Sequence, residues 1–241
     1  MVAFLFPGQG KNANQPQVEI FKASLASYEA RVQSGEKPDM VVGLSLGEFG
    51  ALCAAGTLEY QSCLGLLARR QALTDEACRS NLGAMAAILG MDSGELVEIC
   101  SRARGGGVWI ANYNCPGQLV ISGTLSAVEE TVRQVNGAGA RAIRLKVAGP
   151  FHSPLMEEAN SRFAEALESV ALSSPQVSLY SSVSGERETE TDRIRELLMV
   201  QMASPVLFEH AVRSAIRDGA AKFVEMEPAG TLGKLVSKIL S

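Results

Sequence analysis

Histidine is almost missing from this chain, with only His152 and His210 among 241 residues. Cysteine is sparse as well. Cys53, Cys63, Cys78, Cys100 and Cys115 are scattered and odd in number, and none stands in a C-x-x-C. That excludes a disulfide framework and leaves reduced thiols in a cytoplasmic protein as the expected state. There is no basic run and no interleaving of aromatic with basic residues, which argues against nucleic acid as a partner. No uninterrupted apolar stretch is long enough to span a bilayer, so no membrane partner is expected. The opening Met1–Phe6 segment is apolar but carries no basic leader and breaks at Pro7-Gly8, so it reads as a first strand and not as a signal peptide. Internal repeats and low-complexity tracts are absent too. What remains is 46% hydrophobic and 20% charged, with a net charge of −4. That suffices for one good core, or for one core with a small appended subdomain.

The stretch that organises the rest is Gly43-Leu44-Ser45-Leu46-Gly47. It follows the apolar Met40-Val41-Val42 and opens a helix expected to reach about Ala55. A G-x-S-x-G between strand and helix is a nucleophile elbow. The turn is so tight that its flanking positions must lack side chains. It lifts the Ser45 hydroxyl above the sheet edge and aims the Leu46 N–H at the same point, where the helix N-terminus adds partial positive charge. Five residues thus supply a nucleophile and half of an oxyanion hole.

Around the elbow, strands alternate with helices, the signature of a parallel α/β sheet. A first strand, 2–6, ends in the loop Phe6-Pro7-Gly8-Gln9-Gly10, at the strand end where such folds place their sites. Between two glycines, the Gln9 amide is free to point into one. Pro16 starts a helix with Val18, Phe21, Leu25, Tyr28 and Val32 as its stripe. A second long helix is expected from Leu58 to Cys78, with Leu64, Leu67, Ala68 and Gln71 on one side. Arg69 and Arg70 lie in its middle, and spacing alone does not say whether either leaves the solvated face for a pocket.

Residues 84–148 follow a rhythm of their own: strand 84–89, helix 92–102 with Ser93 as its cap, strands 108–111 and 118–122 around the Asn114–Gly117 turn, helix 126–135 and strand 142–146. That βαββαβ order is the ferredoxin-like pattern. It reads as a small subdomain inserted between 1–83 and 149–241. The second half of the larger unit then carries a strand at 177–182 closed by Gly185, helices at 194–203 and 205–217, a strand at 222–226 and a closing helix at 229–240.

A serine nucleophile needs a base, and the scarcity of histidine narrows the choice. His210 falls inside a helix beside Glu209 and in phase with Arg213, which reads as surface. His152 follows Gly149-Pro150-Phe151 at the junction of the two units, where a cleft is expected. The group that orients it has no evident acidic candidate.

Taken together these motifs resemble the malonyl-CoA:acyl carrier protein transacylases and the acyltransferase domains of polyketide synthases. The matching segments are Phe6–Gly10, Gln15-Pro16, Gly43–Glu48, Arg70, Gly83–Ile88, Asn112–Gln118, Pro150–His152, and Gln201 ahead of Pro205-Val206. They occur in family order and span nearly the whole chain. The resemblance implies an α/β-hydrolase-like core with a ferredoxin-like insertion. It further implies Ser45 as the acylated residue, His152 as general base and then acid, and Gln201 orienting His152 through a carbonyl oxygen. Gln9 and the Leu46 N–H would form the oxyanion hole, and Arg70 would bind the malonyl carboxylate. The substrate would be a CoA thioester and the partner an acyl carrier protein, with no metal and no cofactor of the enzyme's own. A second reading is an acyl hydrolase of the same architecture, which would keep Ser45 and His152 but not need Arg70. The chain departs from the family at Leu44, usually histidine, at the short connection Lys11–Asn14, and at Glu227-Pro228-Ala229, usually a Gly-Pro-Gly loop.

Overall fold

The computed structural model describes residues 1–10, 15–80, 83–147 and 149–241. The Lys11–Asn14 connection and Ala148, at the expected exit of the insertion, lie outside the described residues. Among those described, the chain builds a five-stranded and a four-stranded sheet.

In the larger sheet β1 (Val2–Phe6) lies between β2 (Met40–Gly43), the central strand, and β9 (Lys222–Glu225) at the edge. Beyond β2 lie β7 (Ser178–Tyr180) and β8 (Arg187–Glu188). Pairing is parallel except at the β8 edge. Buried parallel strands are apolar on both faces, and β1 shows why. Phe4 and Phe6 enter one core layer and Ala3 and Leu5 the other, all fully buried. The first layer is closed by α1 (Gln17–Gln33), α2 (Gly47–Ala54), α3 (Tyr60–Ser80), α6 (Glu157–Glu168) and α7 (Thr191–Val200). The second is closed by α8 (Phe208–Arg217) and α9 (Leu232–Leu240).

The smaller sheet has the order β4 (Val108–Cys115), β5 (Gln118–Thr124), β3 (Gly83–Leu89), β6 (Arg141–Arg144), all antiparallel. With α4 (Ser93–Arg102) and α5 (Leu125–Gly137) on one face, this is the ferredoxin-like arrangement. Ala84, Ala86 and Ile88 of β3 pack under those helices. Met85 points the other way, into a small cluster that includes Phe151.

Several local expectations are corrected. Asp92, not Ser93, caps α4, its carboxylate accepting from the Glu95 N–H at 2.9 Å. The buried face of α3 is Cys63, Leu66, Leu67, Arg70, Leu73 and Thr74, a stripe displaced from the one drawn through Leu64, Ala68 and Gln71. An apolar count missed it because two of its members are polar. Gly185 does not close the 177–182 strand. At φ 74° it carries the chain into the unforeseen β8. Helix α8 starts at Phe208 because Val206 is engaged elsewhere. Its N–H donates to Ala111 O and its carbonyl accepts from the Tyr113 N–H, both at 2.8 Å. Strand β4 accordingly runs past Ala111 to Cys115, with register shifts at Ile110/Asn112 and Tyr113/Cys115 that let it serve β5 and Val206 together. Cys115 thereby ends in the core of the larger unit.

The elbow is pressed against the end of β1. Phe6 pairs with Gly43, and the Leu44 N–H donates to Phe6 O at 3.0 Å. A Cβ on Gly47 would stand 2.0 Å from Phe6 O, and one on Gly43 2.3 Å from the Glu48 nitrogen. Both neighbours are backbone and cannot give way. Gly47→Ala is therefore expected to destabilise the fold by about 2 kcal/mol or more, read as a fall of roughly 4–8 °C in melting temperature. Gly65→Ala, in α3 with nothing within 4 Å of its Cβ position, should leave the melting point unchanged or raise it. Equal melting of Gly47→Ala and the parent would refute the steric reading.

Candidate active site

Ser45 and His152 are the two described non-glycine residues with left-handed backbone, at φ 54° and 58°. Such a conformation costs roughly 1–3 kcal/mol each and persists only where surroundings enforce it. For Ser45 the enforcement is the elbow between β2 and α2. For His152 it is the turn after Pro150-Phe151, with its N–H donating to Met202 O at 3.1 Å. The two strained residues face each other, Ser45 Oγ lying 2.7 Å from His152 Nε2.

The other ring nitrogen fixes the tautomer. His152 Nδ1 lies 3.1 Å from the Gln201 main-chain oxygen and 3.0 Å from that of Ser204. Carbonyls only accept, so Nδ1 carries the proton and Nε2 is left with a lone pair toward the Ser45 hydroxyl. The expected carbonyl of Gln201 is thus its backbone carbonyl, and Ser204 shares the task. His152 is buried, and burial first, then the nearby Arg70 charge, push its pKa down to about 4 against the two carbonyls. It is a neutral base across the physiological range.

Arg70 comes from the buried face of α3 and is 4% exposed, whereas Arg69 next to it is exposed. Its guanidinium donates to Gln17 Oε1 at 2.8 Å, to Ser45 Oγ at 3.3 Å and to Gln201 Oε1 at 3.4 Å. These oxygens are all formally neutral, and the buried Nε has no partner among the described residues. Burial lowers the Arg70 pKa to about 10, opposed by the charge of Glu48, so it remains a cation. Glu48 does not touch it. That buried carboxylate accepts from Ser181 Oγ at 2.6 Å, Ser182 Oγ at 2.9 Å and Gln201 Nε2 at 2.7 Å.

The structure brings together Ser45, His152, Arg70 and Gln201. Leu46 follows the nucleophile as the N-cap of α2. Gln9 is half-buried in the loop after β1. A Cβ on Gly8 there would come within 2.7 Å of Leu44 O, so the loop is in contact with the elbow, but Gln9 makes no hydrogen bond to the four residues. His210 is exposed and packs edge-on against Tyr113. Gln17, Ser204 and the role of Glu48 went unseen in the sequence. Gln17 had one signal, its place directly after the Pro16 that opens α1. Beside His152 opens a cleft of about 600 Å³ walled by Pro154 and Pro205 of the larger unit and by Cys100, Val108, Trp109 and Tyr113 of the smaller. A nucleophile and a buried cation, with a neutral base that borders such a cleft, can attack, and deliver to a second acceptor, an acyl group that bears an anion.

The family model described as the acyl transferase domain matches residues 4–241. The chain is 40% identical over 227 residues to the malonyl CoA-acyl carrier protein transacylase of Bacillus subtilis (strain 168), covering 92% of this chain and 71% of that protein. Against the protein of the same name from Escherichia coli (strain K12) the identity is 34% over 229 residues, covering 94% and 74%. Among solved structures, MCAT from Streptococcus pneumoniae superposes with a TM-score of 0.93 at 33% identity, covering 99% of this chain and 93% of that one. A malonyl-transacylase solved with its type II PKS acyl-carrier protein superposes at 0.91 with 28% identity, covering 99% and 93%.

Two outcomes are expected at this site. His152→Ala should cut acylation of Ser45 by about 10²–10⁴-fold, while His210→Ala should be near neutral; a reversed result would misplace the base. Because only neutral His152 accepts a proton, Ser45 labelling by an organophosphonate should hold from neutral pH down toward pH 4 and fall below it. Arg70→Ala removes a charge that opposes protonation, so it should move that inflection upward. An inflection near 6.5 that ignores Arg70→Ala would overturn this electrostatic account.

Proposed function

The chain belongs to the acyl transferase domain family, and from that premise we propose that it moves a malonyl group from CoA to the phosphopantetheine thiol of an acyl carrier protein through an ester on Ser45. The observation that carries the substrate is Arg70. A cation buried beside the nucleophile, bonded to neutral oxygens and with Nε unpaired among the described residues, suits a carboxylate. The free carboxylate of a malonyl thioester supplies that charge, and a planar fork of N–H donors suits its two oxygens as lysine would not.

His152 Nε2 takes the Ser45 proton as Oγ attacks the thioester carbonyl. The oxygen becomes an anion between the Leu46 N–H and the Gln9 side chain, in the roles proposed for them. The C–S bond then breaks, and the CoA sulfur leaves with the proton from His152. In the second half the carrier thiol gives its proton to His152 and attacks the ester. The C–O bond breaks, and Ser45 recovers its proton. Both halves move an acyl group between oxygen and sulfur, so neither metal nor redox cofactor is called for. The malonyl-transacylase neighbour bound to an acyl-carrier protein supports the partner. Among the described residues no helix is long and apolar enough to cross a membrane, and a cytoplasmic setting suits a diffusing carrier.

If the guanidinium pairs with the malonyl carboxylate, removing it should cost that substrate alone. Arg70→Ala is expected to slow single-turnover malonylation by about 30-fold or more while acetylation from acetyl-CoA holds or rises. Arg69→Ala should change neither. Equal loss on both thioesters in Arg70→Ala would make it a structural arginine and remove the ground for the malonyl assignment. The acyl mass should sit on the peptide carrying Ser45 and vanish in Ser45→Ala.

A further inference from the structure

The proposed reaction leaves one ionisable group near its centre unused. Glu48 is 3% exposed, in the first turn of α2 and three residues from the nucleophile. Burial pushes its carboxyl above the usual range, and the three side chains that donate to it pull the other way, toward the carboxylate. Two of them, Ser181 and Ser182, make no hydrogen bond to Ser45, His152 or Arg70. The third is the side-chain amide of Gln201.

That amide has two ends with different neighbours. Its Nε2 donates to Glu48 Oε2 at 2.7 Å and, at the longer distance of 3.3 Å, to the Ser45 main-chain oxygen, while its Oε1 faces Arg70 at 3.4 Å. An ionised carboxylate only accepts and a guanidinium only donates, so one orientation satisfies both sides. Without the carboxylate, only the longer contact to the Ser45 carbonyl holds the amide in this orientation. The Ser181 and Ser182 hydroxyls would draw the amide oxygen toward themselves, and the NH2 would swing to face the Arg70 N–H groups, donor against donor. Arg70 would lose one of its few acceptors, while the main-chain oxygen of Gln201, which holds His152, would stay in place.

We infer that Glu48 is a positioning residue that locks the Gln201 amide with its oxygen toward Arg70, and so sets the guanidinium for an acyl carboxylate. This rests on the malonyl reading above. It separates two duties that meet in Gln201: the backbone oxygen serves the base, and the side chain serves substrate choice. Glu48 therefore governs which acyl group is taken and not whether Ser45 reacts.

The test is the ratio of single-turnover Ser45 acylation by malonyl-CoA to that by acetyl-CoA. Glu48→Met keeps the volume, removes the acceptor, and should lower the ratio about tenfold. Glu48→Gln can still offer Gln201 an oxygen and should stay within about twofold of the parent. In an Arg70→Ala background, Glu48→Met should leave the ratio unchanged, because the residue it acts through is gone. Equal loss on both thioesters, equal damage by Met and Gln, or a ratio change that persists without Arg70 would each overturn the inference. Should Glu48→Met show no cooperative melting, Gln201→Met carries the test, since it keeps the carbonyl for His152 and should lower the ratio alike; an unchanged ratio there overturns the inference too. A crystal structure of Glu48→Met, or of Gln201→Met if that is the variant that folds, separates this from the proposed function. Arg70 displaced from its present place upholds the positioning role even if the parent proves inert to malonyl-CoA, and Arg70 unmoved refutes it.

Discussion

A guanidinium buried against a serine hydroxyl, with no carboxylate touching it, is the constraint on which the rest of this site depends. A bare cation at this depth would cost many kcal/mol in an apolar medium, so the fold surrounds it with oxygens from unrelated parts of the chain. Gln17 comes from α1, Ser45 from the elbow and Gln201 from the end of α7. The carboxyl of Glu48 stands one residue further out, where its charge opposes the effect of burial on Arg70. A carboxylate in direct contact would satisfy Arg70 fully and leave it nothing to offer a substrate. Distance keeps the cation stable enough to bury and free enough to bind.

The same cation shapes the base. It stands close enough to His152 to add to the effect of burial, and the two carbonyls on Nδ1 only partly oppose them. A carboxylate in the place of those carbonyls would raise the imidazole pKa by its charge. Neutral oxygens instead fix the tautomer while the ring stays unprotonated. The absence of an acidic third member is therefore consistent with an arginine nearby.

Much of this was legible in the sequence, for identifiable reasons. The elbow was readable because its glycines are dictated by contacts within a few residues and with the adjacent strand. The core strands were readable because both faces of β1 and β2 are buried, and the βαββαβ order because each element is local. With two histidines the base was nearly decided by elimination. What stayed hidden is polar and non-local. Arg70 shares a stripe with leucines, so apolar periodicity drew the helix face in the wrong place. Gln17 and Ser204 act only through partners more than 45 residues away in sequence. The run of β4 beyond Ala111 is set by Val206, and nothing local to either segment announces the pairing.

That pairing fixes how the two units can move. Two backbone hydrogen bonds tie β4 to Val206, two residues from the Ser204 carbonyl that steadies His152. The seam lies at one edge of the cleft, so the units cannot simply draw apart there without loosening the base. A widening of the cleft that keeps the base in place would turn about this stitch, as a door turns on its jamb. His152 thus stands beside the stitched edge of the cleft, and an opening that spares those two bonds leaves its carbonyl support in place.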